Sequence, residues 1–132
     1  MSDTPTRREF LLTTSMAALV SQHVTGQSTP IQPFRFQRVE TNDVTLRCAI
    51  EGSGPLVIMI HGFPELWYSW RHQIRPVADA GFRVVAPDVR GYGESDKPHP
   101  VAAYDMLSLT GDVVGLMDAL GEEQAILVGH DW

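Results

Sequence analysis

Apolar and polar residues alternate from Phe34 to Val39 and again from Val44 to Ile50, the period of half-buried strands. Asn42-Asp43 supplies turn chemistry between them, so the two runs are expected to form a hairpin at a sheet edge. Gly52-Ser53-Gly54-Pro55 then breaks the chain. Leu56-Val57-Ile58-Met59-Ile60 is apolar on both faces, as in a parallel strand covered by helices on each side. Trp70, Ile74, Val77 and Ala78 follow at helical spacing, with Pro76 expected to split the segment into two short helices and Gly81 to stop the second. Phe82 to Ala86 reads as another buried strand, followed by a loop rich in Gly and Pro that runs to Pro100. Leu109, Val113, Leu116, Met117 and Leu120 make one helical face, with Asp105 or Ser108 as cap and Gly121 as stop. Ala125 to Val128 is the last strand. A hairpin followed by β-α-β-α-β predicts an α/β fold with a mixed sheet.

The first 26 residues read differently. Thr6-Arg7-Arg8-Glu9-Phe10-Leu11 precedes a weakly apolar stretch to Val20, a polar segment and small residues near Val24-Thr25-Gly26. This order resembles a twin-arginine export signal and implies a periplasmic destination; a tail or a first helix of the fold, in a cytoplasmic protein, is the alternative. The apolar stretch is too short to span a bilayer, which needs about 20 residues. Residues 27–33 read as a linker, and 34–132 as the folded segment.

The chain has 132 residues, 43% of them hydrophobic and 20% charged, a composition that supports a packed core. Its net charge of −6 argues against nucleic acid or an anionic membrane surface as partner. The lone Cys48 has no partner for an internal disulfide and no neighbours at metal-ligand spacing, so it reads as a small strand residue.

Three loops carry the chemistry. His61-Gly62-Phe63-Pro64 follows the first buried strand, Asp88-Val89-Arg90-Gly91-Tyr92-Gly93-Glu94-Ser95 the second, and Gly129-His130-Asp131-Trp132 the third. In open α/β sheets the active crevice lies outside the carboxyl ends of the strands, so all three point at one region. The last has the strand-to-turn form of a G-x-S-x-G nucleophile elbow, with Asp131 at the serine position. Gly91-Tyr92-Gly93 is not a dinucleotide fingerprint: Asp96 stands where the third glycine belongs, and Lys97-Pro98 follows instead of a helix start.

The run from His61 to Gln73, with Gly91-Tyr92-Gly93-Glu94-Ser95 and Gly129-His130-Asp131-Trp132, resembles the α/β-hydrolase family and within it the soluble epoxide hydrolases. The likeness runs from Phe34 to Trp132 and matches only the N-terminal portion of that fold, up to the nucleophile elbow. It implies an aspartate nucleophile at Asp131 and backbone oxyanion-hole donors at Phe63 and Trp132. It further implies a cis Phe63–Pro64 bond that turns the Phe63 amide inward. The reaction implied is hydrolysis of a small-molecule epoxide to a vicinal diol through an aspartyl ester, with water as second substrate and neither metal nor organic cofactor. A carboxylate suits this, since it is ionised at neutral pH without a base. His61, Gly62, Pro64, Trp67 and His130 are expected to shape the loops or line the pocket. His61 reads as a hydrogen-bonding residue of its loop, and Asp88 and Arg90 as pins of theirs. His130 should point away from Asp131, and Trp67, Tyr68 and Trp70 could equally be core.

A haloalkane dehalogenase shares the aspartate nucleophile, but such enzymes commonly carry a halide-binding Asn where Phe63 stands, and Phe63 has no side-chain donor. A non-catalytic remnant is the rival from another class. The family's acid, base and lid follow the elbow, and no residue up to Trp132 can be assigned to them. The 132-residue chain by itself is therefore expected to turn over little, with its last strand left as an apolar edge.

Overall fold

A computed structural model describes residues 33–131. β1 (Arg35–Thr41) and β2 (Val44–Glu51) form the expected hairpin, turning at Asn42 and Asp43, whose φ values of 21° and 63° give the twist that a tight hairpin needs. β3 (Leu56–Ile60), β4 (Arg83–Pro87) and β5 (Ala125–Gly129) complete one five-stranded sheet in the order β1-β2-β4-β3-β5. β2 runs antiparallel to β4, whereas β3 is parallel to both β4 and β5. The mixed α/β sheet is the one the pattern predicts.

Between β3 and β4 the chain makes a 3-10 turn, Trp67–Trp70, and a short helix α1, Ile74–Asp79. The break between the two helical pieces falls at residues 71–73, not at Pro76. Pro76 lies in the first turn of α1, where its missing N–H has no intrahelical partner to lose, so the expectation that it splits the segment was misplaced. Between β4 and β5 runs α2 (Met106–Leu120), preceded by a 3-10 turn at Val101–Tyr104 within the segment read as loop and its continuation. Of the two candidate caps, Asp105 is the one used: its carboxylate accepts the Ser108 N–H at 2.7 Å. Gly121 closes the helix in the left-handed region at φ 74°, with Glu122 N–H returning to Met117 O at 3.0 Å.

The two helices cover opposite faces of the sheet. Leu116 of α2 packs with Leu46, Ile58 and Val85 on one side; Ile74 of α1 packs with Val57, Met59 and Val84 on the other. This follows from topology. The step from β3 to β4 goes one way along the sheet and the step from β4 to β5 goes back past β3, so right-handed crossovers must lie on opposite faces. The reversal opens a crevice at the carboxyl ends of β3 and β5. β1 is less buried than its alternation implies: Phe36, packed on Trp67 and under Arg47 at the sheet edge, is still 41% exposed. β5 holds the other edge, with Ile126 and Leu127 exposed.

Candidate active site

Three strand ends meet at the crevice. β3 delivers His61 to Pro64, β4 delivers Asp88 to Ser95, and β5 delivers His130 and Asp131. Phe63 N–H points to Asp131 Oδ1 at 3.5 Å, which joins the first loop to the third. The approach requires glycine at position 62. A Cβ there would stand 2.8 Å from the His130 carbonyl oxygen and 3.2 Å from both Cα and Oδ1 of Asp131. The Phe63–Pro64 peptide is cis, as expected.

His61 is buried, and both ring nitrogens are engaged. Nδ1 lies 2.9 Å from the Gly62 carbonyl oxygen, and Nε2 accepts the Val89 N–H at 3.1 Å. The same Gly62 oxygen accepts the Glu65 N–H at 2.9 Å. His130 points away from the crevice floor: its Nε2 pairs with Glu65 Oε2 at 2.7 Å, and its ring meets the edge of Trp70 with centroids 5.4 Å apart.

The second loop is fixed by buried ions. Asp88 accepts the Trp67 N–H at 3.1 Å and the Glu94 N–H at 3.3 Å, with Arg47 3.8 Å away. Arg90 is bound to Asp112 of α2 through two bonds of 2.9 and 2.6 Å, and also donates to the carbonyls of Asn42 and Ala103. The Asp112 carboxylate raises the Arg90 pKa further above its already high value. A guanidinium buried with all these acceptors is a tie between loop, hairpin turn and helix, not a free cation for a substrate.

A cleft of about 400 Å³ opens in front of Asp131, walled by Phe63, Tyr92, Met106, Leu109 and Val113, with His61 and His130 also at its surface. Most of its walls are apolar, and the polar side chains that border it are His61, Arg90, Asp112, His130 and Asp131. Among the described residues no group of three or more His, Cys, Asp or Glu could hold a metal ion. No helix among them is long and apolar enough to cross a membrane.

A family model described as the alpha/beta hydrolase fold matches residues 55–132. The chain belongs to the α/β-hydrolase family. Its relatives include epoxide hydrolase A of Mycobacterium tuberculosis, 58% identical over 96 residues, a match covering 71% of this chain and 30% of that protein. Epoxide hydrolase 3 of Siraitia grosvenorii is 50% identical over 94 residues, again covering 71% of this chain and 30% of its own length. The crystal structure of an epoxide hydrolase from Vigna radiata superposes with a TM-score of 0.74 at 47% identity, over 77% of this chain and 33% of that one. The chain thus spans about a third of the length of the relatives it matches.

Within this α/β-hydrolase frame the structure brings together Asp131, Phe63, Gly62, His61 and His130. Pro64 borders the group without walling the cleft. Trp67 does not come to it. Its ring packs edge-on against Phe34, Phe36 and Tyr68 at 4.9 to 5.6 Å, so the expectation of a pocket tryptophan gives way to packing on the sheet's other face. Trp132 and the segment read as an export signal lie outside the described residues. Other residues of the site went unread as such in the sequence. Tyr92, read as part of the second loop motif but given no role of its own, walls the cleft and meets the His61 ring edge-on at 5.2 Å. Glu65, whose carboxylate lies 2.7 Å from His130 Nε2, carried no signal in periodicity or spacing. Leu109 and Val113 could have been found, because the apolar face of α2 extends beyond the strands it covers.

Proposed function

We propose that this chain carries the nucleophile and part of the oxyanion hole of an epoxide hydrolase. The observation that carries the reading is the Asp131 carboxylate, facing the Phe63 N–H at 3.5 Å at the edge of a largely apolar cleft. One Asp131 oxygen attacks an epoxide carbon as the C–O bond of the ring breaks, leaving an alkyl ester on Asp131 and an alkoxide that must take up a proton. Water then adds to the ester's carboxyl carbon, and the oxygen facing Phe63 N–H becomes the oxyanion. The adduct collapses to the vicinal diol and regenerates the carboxylate. Trp132 N–H is the second donor in this reading. The groups that protonate the epoxide oxygen and activate the water are assigned to no residue of this chain. The carboxylate route needs no metal or organic cofactor.

Phe63 supports an epoxide over a haloalkane as substrate. Phe63 is 62% exposed, borders the cleft, and its side chain offers no donor to a departing halide. The names borne by the relatives from M. tuberculosis, S. grosvenorii and V. radiata support the same choice.

The test is intact-protein mass spectrometry of the complete gene product, quenched during turnover of a styrene-oxide-type substrate. The expected result is an adduct on the Asp131 peptide and its loss, with diol formation, in Asp131→Asn. Chloride release from chloroalkanes without diol from epoxides would replace the epoxide with a haloalkane, and an adduct on another peptide would remove Asp131 from the mechanism. Residues 1–26 are proposed as a cleaved export signal on the pattern around Arg7 and Arg8. An intact Met1 on protein recovered from the periplasm would refute it.

A further inference from the structure

The donor facing Asp131 is one half of a rigid peptide unit. The Phe63 N–H and the Gly62 C=O share a plane, so whatever holds the carbonyl also aims the amide hydrogen. Two donors hold that carbonyl: the Glu65 N–H and the His61 ring, each at 2.9 Å. The ring's own orientation is dictated from the other side. Val89 N–H donates to Nε2 at 3.1 Å, so Nε2 must present a lone pair and the ring proton must sit on Nδ1, directed at Gly62 O. His61 is only 5% exposed, and Tyr92 stands edge-on to its ring, so water does not replace either bond.

We infer that His61 is a positioning residue for the oxyanion hole: it relays a hydrogen bond from Val89 through its ring to the Gly62–Phe63 peptide, fixing and polarising the amide that faces Asp131. The relay runs Val89 N–H to His61, His61 Nδ1–H to Gly62 O, and Phe63 N–H to Asp131 Oδ1. Each bond polarises the next, by an amount on the order of 10–30% per bond. The final contact is long, at 3.5 Å, so a small rotation of the peptide plane removes it.

The inference rests on the aspartyl-ester reading, and that reading gives the relay a direction. In the first half-reaction Asp131 goes from carboxylate to neutral ester, losing the negative charge that Phe63 N–H faces. In the second, water addition creates negative charge on that oxygen. A well-aimed amide therefore accelerates ester hydrolysis and does nothing to speed alkylation. A residue that merely held the loop together would affect both steps.

The experiment is single-turnover kinetics on the complete gene product with a styrene-oxide-type substrate, following the Asp131 adduct by quenched mass spectrometry. His61→Gln keeps an acceptor for Val89 and removes the donor to Gly62. His61→Asn places an amide NH2 where Nδ1 was, restoring that donor. For His61→Gln the expected result is ester hydrolysis slowed by about tenfold or more, alkylation within about threefold of the parent, and accumulation of the adduct. His61→Asn should recover most of the hydrolysis rate. Both are first-order rates of the molecules that react, so a fraction of misfolded protein does not alter them. Equal slowing of the two steps in His61→Gln, or hydrolysis no faster in His61→Asn than in His61→Gln, overturns the relay. Absence of any Asp131 adduct in the parent enzyme overturns the aspartyl-ester reading instead.

Discussion

Gly62→Ala tests the closest approach in the site. The new Cβ would stand 2.8 Å from the His130 carbonyl oxygen and 3.2 Å from Asp131 Cα and Oδ1. Two of these neighbours are backbone, which cannot swing aside as a side chain can. Relief requires the first and third loops to separate by roughly half an ångström, because protein interiors leave no slack of that size. The Phe63 N–H to Asp131 Oδ1 distance is already 3.5 Å, so the same displacement takes it to about 4 Å and beyond hydrogen-bond range. Misplacement by about 1 Å can cost on the order of a hundredfold in rate, so about half that shift should lower kcat by roughly ten- to a hundredfold. That corresponds to about 1.4–2.7 kcal/mol of barrier. Overpacking should also cost about 1–3 kcal/mol of stability. Gly121→Ala is the control: its Cβ meets nothing within 4 Å, and its φ of 74° imposes only a conformational penalty of about 1–2 kcal/mol. Urea denaturation and epoxide turnover, measured on both variants of the complete gene product, separate the effects. The expected outcome is comparable destabilisation in both and a rate loss in Gly62→Ala alone. Turnover by Gly62→Ala within twofold of the parent, or equal slowing in both variants, would refute the steric reasoning.

Asp112→Ala should destabilise the protein by about 3–5 kcal/mol in urea denaturation, because it strands the buried Arg90 guanidinium. A loss under about 1 kcal/mol would show that the loop re-solvates Arg90. Burial, helped by nearby Asp88, pushes the Cys48 thiol from 9.0 up to about 12. At any pH below 9 the native protein then holds about a thousandfold less thiolate than an exposed cysteine. Peptide mapping after treatment with a thiol reagent at pH 8 should find Cys48 unmodified in native protein and modified at once in urea. Rapid modification under native conditions would contradict its burial in β2.

Strand and helix positions were legible in the sequence because they follow from local periodicity and backbone chemistry. The doubly apolar run Leu56–Ile60 suits a strand covered on both faces, and Asn42-Asp43 and Gly121 name their own turns. The order of the three loop motifs was equally local, which is why Phe63 and Asp131 are expected beside one crevice, where they lie 3.5 Å apart. What the sequence could not settle depends on which faces meet. Trp67 and Tyr92 are both aromatic residues in loops beyond strand ends, yet one packs beneath the sheet edge and the other walls the cleft. Their fates are decided by the opposed crossovers of α1 and α2. Nor does spacing reveal that His61 reaches Val89 or that His130 reaches Glu65, because those partners lie 28 and 65 positions away along the chain. Periodicity fixes what each residue does to its own backbone; only the packed sheet brings together the carbonyls, amides and rings that aim one another.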